Sequence, residues 1–432
     1  MIGLSWSLTR QDHGEQPFWL GTVLAAMLGQ IGLPGGGVGF GYGATNTVGL
    51  ERSPVQFQAL PQGHNPVATF IPVARITELL EKPGAPFTYN GAVNHYPDTR
   101  LVWWAGGNPF HHHQDLNRLR RAWAKPETVI ANEWCWNALA QHADIVLPCT
   151  TTLEREDINL GPRDPYLVYM AQAVAPVAEA RDDYAIFRGI ARQLGIEETY
   201  TEGRETSDWL AWLYKHSREK AQQNGVAMPE LTTLKREGYC KLEIPEEPFV
   251  MLAKFRADPV AHPLKTPSGK VEIFSKAIAG FGLSDCPGHP YWMEPVEWLG
   301  SALSKDYTQH LISNQPRNKL HSQLDHGAVS QADRPNGYEP VYLHPLDAVK
   351  YGITDGDIVR VFNQPGACLG EARLTEDLRR GVIKMSTGAW FAPDEDGVCQ
   401  GGNPNVLTVD KGTSGLAQGP VAHSCLVGVV KI

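Results

Sequence analysis

The clearest pattern in the chain is a short apolar run that ends in glycine and is followed by a polar, helix-compatible stretch. Leu101–Trp104 is apolar and aromatic, as expected of a buried strand, and the turn formers at 106–109 end it at once. A stretch compatible with a helix follows from His112 to Arg121. This order of elements forms the edge at which α/β proteins bind ligands, although an ordinary strand–helix turn has the same pattern.

The same alternation repeats further along the chain. Thr128–Ala131 predicts the next strand, with a helix that ends near Ala140 after it, and Asp144–Leu147 predicts a further buried strand. Because short apolar runs alternate with helical patterns, the sequence predicts an α/β fold with a parallel sheet and helices on both of its faces.

From about Gln309 the pattern changes to short strands separated by glycine or proline turns. The predicted strands are His310–Ser313, Val341–His344, Asp357–Asn363, Cys368–Leu374 and Val382–Met385. The turn formers at 363–366 predict a hairpin between the third and fourth of these strands. Many short strands at close spacing predict a compact β-barrel.

Composition narrows the class of protein. The chain has 432 residues and a formal net charge of −9 with no basic stripe, which argues against nucleic acid as the main partner. No two of the seven cysteines have a C-x-x-C spacing, so an iron–sulfur cluster or a structural zinc is not expected. The most apolar stretch, Phe18–Leu33, is too short for a confident membrane span and predicts a buried helix; no membrane insertion is expected.

Several long motifs occur between residues 3 and 419. They are GLSWSLTRQDHGEQ, WWAGGNPFHHHQDLNRL, HADIVLPCTT, ARDDYAIF, KLHSQLDHG, HPLDAVKYGITDGDIVRV and NVLTVDKGTSGLAQG. In sequence and in order, they make the chain resemble the molybdopterin-dependent oxidoreductases that reduce dimethyl sulfoxide, trimethylamine N-oxide and biotin sulfoxide.

The resemblance implies a domain organisation. It predicts parallel-sheet, Rossmann-like regions followed by a C-terminal β-barrel of the double-psi type. The predicted segments are 1–122, part of an α/β cofactor-binding domain; 123–235, the second half of another α/β nucleotide-binding domain; 236–300, a connecting segment; and 301–432, the molybdopterin dinucleotide-binding barrel.

The resemblance also implies an activity. It predicts the C-terminal portion of a molybdenum enzyme that reduces S-oxides or N-oxides by oxygen-atom transfer at a bis-molybdopterin guanine dinucleotide centre. The serine that ligates molybdenum in this family would lie in an N-terminal part that nothing here matches, so the isolated chain is expected to be inactive. The alternative is a non-catalytic cofactor-binding subunit or an inactive remnant of such an enzyme.

Partners follow from the same resemblance. They are a small S-oxide or N-oxide substrate, an electron donor such as a cytochrome whose identity the sequence leaves open, and the missing N-terminal part as a separate chain. The family includes enzymes of anaerobic respiration, and it favours the periplasm, with the cytoplasm as the alternative.

Two residues near the start are candidates for the substrate pocket. The resemblance assigns Trp6 and Arg10 to the pocket above the metal. An indole can pack on small apolar groups, and a guanidinium can stabilise negative charge on an oxide oxygen. Without the resemblance, Trp6 in the core and Arg10 as a tether of its loop would be the simpler interpretation.

A second set of residues is assigned to the cofactor. In the R-x-D-aromatic pattern Asp183 matches the carboxylate that accepts two hydrogen bonds from guanine, while an aspartate at a helix start, such as Asp182, also favours the helix dipole. Asn405 and Gln418 also suit simple turns near glycines.

Three consecutive histidines at 111–113 cannot all face one ion on a helix, so no metal site is predicted there. The full set is Gly106, Gly107, Asn108, His111, His112, Glu133, Arg155, Arg181, Asp183, His321, Ser322, Gln323, Asn405 and Gln418.

Overall fold

The computed structural model describes residues 1–40, 53–161, 163–244 and 250–432. Within them the strands are β1 Ile2–Leu4, β2 Val38–Phe40, β3 Pro86–Tyr89, β4 Ala92–His95, β5 Leu101–Ala105, β6 Thr128–Glu133, β7 Ile145–Pro148, β8 Asp157–Asn159, β9 Tyr166–Met170, β10 Tyr239–Lys241, β11 Gln309–Ile312, β12 Pro340–Leu343, β13 Ile358–Phe362, β14 Ala367–Leu374, β15 Val382–Met385, β16 Val398–Cys399 and β17 Leu426–Lys431.

Helices connect these strands. The α-helices of the same described ranges are α1 Glu15–Met27, α2 Ile76–Glu81, α3 Pro109–His112, α4 Leu116–Trp123, α5 Ala138–Gln141, α6 Asp183–Gln193, α7 Glu197–Thr201, α8 Thr206–Gln223, α9 Leu231–Glu237, α10 Ala253–Ala257, α11 Lys276–Gly280, α12 Ala328–Gln331 and α13 Pro345–Tyr351. Short 3₁₀ helices span Trp6–Arg10, Val73–Arg75, Ala302–Lys305 and Pro404–Val406.

The predicted parallel sheet is confirmed. Strands β5, β6 and β7 pair in parallel in this order, with Trp104 beside Ala131 and Asn132 beside Leu147. The prediction that β5 and β7 are buried is wrong at their starts, because Leu101 is 53% and Ile145 46% exposed. Each of these two strands has a neighbour on only one side, so only the central strand β6 is well covered.

The predicted barrel is also confirmed. Six strands close in the order β12, β15, β11, β17, β13 and β14, and parallel pairing of β14 with β12 completes the ring. The predicted hairpin joins β13 to β14, where the Asn363 amide donates to the Gly366 carbonyl at 3.0 Å. Strand β17 was not predicted, although its apolar run is a barrel strand that pairs with both β11 and β13.

The sheet and the barrel share one hydrophobic core. Phe110 of α3 and Trp123 of α4 belong to the same buried cluster as Val361 and Phe391 of the barrel domain. The Phe110 and Phe391 rings stack with centroids 5.7 Å apart. This packing holds the carboxyl ends of β5 and β6 against the barrel. The predicted four-segment division of the chain stays a prediction.

A smaller core lies under the charged region after residue 202. Strands β8, β9 and β10 form an antiparallel sheet, and α8 and α9 pack on it through Tyr214 and Leu234.

Helix α1 differs from its prediction. It ends at Met27, and Leu20, Leu24 and Met27 are largely exposed, so the expected buried helix is wrong on this side. The side that carries Gly21 is the one that packs, against Leu4 of β1. Within the described ranges, none of the helices has the combination of length and hydropathy that a bilayer crossing requires.

The barrel packing predicts opposite effects for two glycine substitutions. In Gly370→Ala the added Cβ would lie 2.3 Å from Val341 Cγ2 and 2.8 Å from the Glu339 carbonyl oxygen, so we expect a loss of about 1–3 kcal/mol in the free energy of unfolding. In Gly189→Ala, inside α6, no described atom lies within 4 Å, and we expect a gain of up to about 1 kcal/mol. Urea unfolding of both variants measures this; equal effects would contradict the packing described for β14.

Candidate functional site

A cavity of about 390 Å³ lies at the carboxyl ends of the three parallel strands. Gly106 and Gly107 follow β5, Glu133 ends β6 with Cys135 two residues later, and Cys149 follows β7; all five line the cavity. This is the edge of an α/β sheet where ligands bind.

The glycine turn shapes one wall of this first cavity. Gly106 and Gly107 both have φ of +84°, a conformation that glycine adopts at no steric cost. Asn108 then caps α3, because its side chain accepts a hydrogen bond from the Phe110 amide at 3.0 Å. The turn therefore exposes backbone to the first cavity. Helix α3 follows it, and His111 and His112 of this helix also line that cavity.

The two neighbouring aspartates have different surroundings. Asp182 is the N-cap of α6 and accepts a hydrogen bond from the Ala185 amide at 2.8 Å. Asp183 lines the first cavity, and its Oδ1 accepts from Asn132 Nδ2 at 2.8 Å, while Asn132 Oδ1 accepts from Trp103 Nε1 at 3.0 Å. Asp183 is thus the member of the pair available to a ligand.

The first cavity is acidic. Burial raises the pKa of Glu133 above its ordinary value, and the nearby Asp183 adds to the effect, although hydrogen bonds from Asn137 and the Trp134 amide oppose it. Burial, with the neighbouring carboxylates, raises the pKa of Cys135 to about 11 and that of Cys149 to about 12. Both cysteines are therefore thiols at neutral pH, and the cavity suits a ligand edge that carries N–H donors.

A second cavity of about 630 Å³ adjoins the first and shares His111, His112 and His321 with it. Its other walls come from the 3₁₀ helix that carries Arg10, from the end of β11, and from the barrel segments around Asn405 and residues 420–423. The two cavities thus lie side by side between the sheet and the barrel, and together they are called the joined space.

Histidines dominate the second cavity. His111 Nε2 lies 3.4 Å from His321 Nδ1, and burial lowers the pKa of His111 to about 3. Burial, with the nearby Arg10 and His310, lowers the pKa of His423 to about 4. These imidazoles are neutral at pH 7, and each neutral ring offers one donor and one acceptor.

Several buried polar atoms of the second cavity lack a partner among the described residues. They are His111 Nδ1, Gln114 Oε1 and Ser313 Oγ. Buried polar groups in folded proteins are nearly always hydrogen-bonded, so such a concentration on one cavity wall marks a ligand site.

The barrel positions the histidines through two asparagine side chains. Asn405 Nδ2 donates to the His111 carbonyl at 2.5 Å, and Asn403 Nδ2 donates to the Phe110 carbonyl at 3.1 Å. Asn405 also lines the second cavity. It therefore holds the histidine segment in place as well as bordering the space.

Most of the predicted site residues meet in this joined space. Those that line it are Arg10, Gly106, Gly107, Asn108, His111, His112, Glu133, Asp183, His321, Ser322, Gln323 and Asn405. Arg155 lines a third cavity of about 600 Å³ that adjoins the first through Asp183.

Three predicted residues are not brought to these three cavities as the described residues form them. Trp6 is 46% exposed and is not among the residues that line these cavities. The backbone of Arg181 bonds to the residues on either side of Cys149. Gln418 donates from its side-chain amide to the Thr88 carbonyl at 2.8 Å, which joins the segment around Gln418 to β3. The roles assigned to these three stay predictions.

Other residues at the site were not singled out from the sequence. They are Asn132, Gln114, Ser313, His310, Asn403 and His423. Only Asn132 had a usable signal, as a polar residue at the end of a predicted parallel strand. The others come together through the docking of the barrel on the sheet, which residue patterns do not encode locally.

Two family models match the chain. Residues 1–193 match molybdopterin oxidoreductase, and residues 310–426 match the molydopterin dinucleotide binding domain. The chain belongs to the molybdopterin oxidoreductase family. The predicted cofactor class, a molybdopterin dinucleotide with molybdenum, is confirmed by these two matches.

Curated members of the family are similar over nearly the whole chain. It is 47% identical to a biotin sulfoxide reductase of Cereibacter sphaeroides, over 99% of this chain and 58% of the relative. It is 42% identical to a dimethyl sulfoxide/trimethylamine N-oxide reductase of the same organism and 43% identical to a trimethylamine-N-oxide reductase of Haemophilus influenzae, over 54% and 55% of those proteins. The chain therefore spans about half the length of the curated relatives it matches.

A solved structure shares the fold. Acetylene hydratase from Pelobacter acetylenicus superposes with a TM-score of 0.60 at 19% identity, over 83% of this chain and 46% of that protein. The likeness supports the arrangement of sheet and barrel and says nothing about the reaction.

The residues present fit the family's cofactor. Its pterin and guanine rings display alternating donors and acceptors, which the unpartnered atoms of the second cavity and the carboxylates of the first can meet. The open glycine turn allows close approach of a large planar or phosphate group to backbone.

The buried histidines predict a pH dependence of stability. Burial, helped by His112 and Arg75, lowers the pKa of His113 from 6.5 to about 3, so below pH 6.5 the unfolded chain binds a proton that the folded protein does not. The stabilisation is complete above pH 6.5 and is lost at about 1.4 kcal/mol per pH unit as the pH falls toward 3.

Removing this histidine should therefore reduce the slope. In His113→Gln we expect the slope of the unfolding free energy against pH to fall between pH 6.5 and 4, by the equivalent of about one proton. Urea unfolding at a series of pH values measures this slope. His64→Gln, at an exposed position, is the matched control and should keep the wild-type slope. A wild-type slope in His113→Gln would show that this imidazole is not held neutral in the fold.

Proposed function

We propose that this chain forms the cofactor-binding and substrate-facing part of a bis-molybdopterin guanine dinucleotide enzyme that reduces S-oxides or N-oxides. The observation that carries the proposal is the joined space between sheet and barrel, with an acidic end at Asp183 and a histidine-lined end beside Arg10. The printed activities of the relatives supply the substrate class.

The acidic end is proposed to hold guanine. Asp183 accepts from Asn132 through Oδ1, which leaves Oδ2 for the N–H groups of a base edge, and guanine offers two such groups side by side. Adenine lacks this pair of donors. Asp182 is not available for this role, because it caps α6.

The histidine-lined end is proposed to hold a pterin. His111 and Gln114 border it with neutral donors and acceptors, which match a heterocycle better than charged groups would, and His321 lines it as well. When bound there, the molybdenum cofactor would supply two-electron redox chemistry.

Arg10 is proposed to bind the oxide oxygen of the substrate. Arg10 lines the second cavity and is exposed to solvent there, so its guanidinium is free to donate hydrogen bonds to a partly negative oxygen. The overall conversion consumes the oxide, two protons and two electrons and releases the sulfide or amine and water. The electrons come from a reductant such as a cytochrome, and its identity is not assigned.

The proposal is tested first by composition and turnover. A protein that contains this chain and has the full length of the curated relatives should contain molybdenum and release guanine nucleotide on acid hydrolysis, and it should oxidise reduced viologen in the presence of dimethyl sulfoxide, trimethylamine N-oxide or biotin sulfoxide. The isolated 432-residue chain should show no turnover. A protein with cofactor but no turnover would favour a non-catalytic cofactor-binding subunit; a protein with neither would contradict the proposal.

Substitution of Arg10 should separate reaction from binding. We expect Arg10→Gln to lower kcat/KM for the oxide by about 10²-fold, because one donor to the oxygen is lost, with cofactor content unchanged. Arg236→Gln, on exposed α9, is the control and should keep wild-type turnover. Wild-type kcat/KM in Arg10→Gln would remove Arg10 from the substrate pocket.

Substitution of Asp183 should weaken the cofactor. Asp183→Asn keeps the bond from Asn132 but replaces the second acceptor with a donor, which costs about 1.5–3 kcal/mol of binding, or about 10- to 100-fold in affinity. Asp182→Asn is the matched control, since asparagine caps a helix as well as aspartate does. Guanine nucleotide content after dilution and gel filtration measures the difference; equal retention in both variants would contradict the guanine assignment.

A further inference from the structure

A buried ion pair closes the loop that carries His321, Ser322 and Gln323. Lys319 Nζ lies 2.6 Å from Asp325 Oδ1, and these side chains are 2% and 7% exposed. Residues 319–325 therefore form a closed loop. His321 of this loop lines both cavities, and Ser322 and Gln323 line the first cavity.

Two more charges complete the buried cluster. Lys319 Nζ also lies 2.5 Å from Glu339 Oε1, and Arg334 bonds to the carboxylates of both Asp325 and Glu339. Burial alone would raise the pKa of Asp325, but hydrogen bonds from Arg334 and Lys319 hold it below its ordinary value. The four-charge cluster, Lys319, Asp325, Arg334 and Glu339, thus pairs two basic side chains with two acidic ones.

The loop has a conformation that needs such support. His321 and Leu324 have φ of 51° and 53°, in the left-handed region that residues other than glycine seldom adopt. An apolar cluster of the same volume would stabilise the fold as well as buried charges do, but its contacts have no preferred direction and would not fix the backbone conformation of the loop. Charged hydrogen bonds are directional, and here they lie on both sides of the strained residues.

The same carboxylate connects the loop to the barrel. Asp325 Oδ2 accepts from the Trp390 amide at 3.0 Å, and Trp390 Nε1 donates to the Ser322 carbonyl at 2.8 Å. At Gly388 an added Cβ would lie 2.0 Å from the His321 carbonyl oxygen, so the barrel backbone packs directly under the loop. The cluster, the barrel segment 388–390 and the loop tip form one connected unit.

We propose that the four-charge cluster is a positioning device for the dinucleotide cofactor. Its members do not line the two joined cavities as the described residues form them; they act by holding residues 321–323 in the shape that borders both. The inference rests on the proposed function for the role of the loop tip, but the loop's order can be measured without cofactor.

Amide hydrogen exchange on Asp325→Asn tests the proposal. Loss of the charge should accelerate exchange of the amides of residues 320–325 at least tenfold, in cofactor-free and loaded protein alike. The loaded variant should also release its cofactor at least tenfold faster than wild type. Lys319→Arg keeps the charge and should stay within about threefold of wild type in both measurements.

Leu234→Ala is the matched control, because it removes buried methyl groups from the smaller core on β8–β10 and does not touch the loop or the core shared by sheet and barrel. It should lower the unfolding midpoint while leaving loop exchange and cofactor release at wild-type rates. Equal changes in Asp325→Asn and Leu234→Ala would show a merely structural cluster and overturn the proposal, as would unchanged exchange in Asp325→Asn.

A second variant serves if Asp325→Asn does not fold. Trp390→Phe removes the hydrogen bond to the Ser322 carbonyl and leaves all four charges, and it should accelerate exchange of the loop amides but not those of β13. Unchanged loop exchange in this variant would also overturn the proposal. A wild-type protein without molybdopterin dinucleotide would refute the proposed function, whereas the exchange rates would still decide whether the charges hold the loop.

Discussion

The site depends on how one short helix is held against the barrel. Phe110 of α3 is fully buried, with its ring stacked on Phe391 from the barrel domain and in edge contact with Trp123. Asn403 and Asn405 bind the carbonyls of Phe110 and His111, so the helix is fixed by packing on one side and by hydrogen bonds on the other. Since α3 follows directly on the glycine turn of β5, the same contacts set the distance between the sheet edge and the barrel.

This constraint divides the site into two chemical environments. On the sheet side the polar groups are carboxylates and thiols, and the thiols are kept protonated by burial and by the carboxylates. On the barrel side they are imidazoles kept neutral by burial, with one guanidinium at the wall. A ligand that spans both must present donors at one end and mixed donors and acceptors at the other, as a guanine–pterin dinucleotide does.

The sequence predicted the individual strands and turns around the site better than it predicted which of them lie next to one another. Local periodicity and turn chemistry predicted strand β5 with its glycine turn, and they also predicted the barrel strands β11–β15. The structure has these strands where they were expected. The predicted burial of β5 and α1 was partly wrong, because an apolar pattern does not tell which side of an element packs against a neighbour. Gln114, Ser313 and Asn403 were missed because their importance comes from contacts between segments roughly two hundred or more residues apart. The resemblance pointed to Asp183 rather than Asp182, and in the structure Asp182 caps α6 whereas Asp183 lines the first cavity.

The central claim is that one dinucleotide occupies the joined space, with its guanine at the sheet edge and its pterin at the barrel. A crystal structure of the protein with its cofactor bound tests this most directly. We predict electron density for guanine beside Asp183 and for the pterin between His111 and His321, with Gln114 and Ser313 gaining hydrogen-bond partners. Cofactor density elsewhere on the protein, with Asp183 and the three unpartnered groups unchanged, would contradict the account.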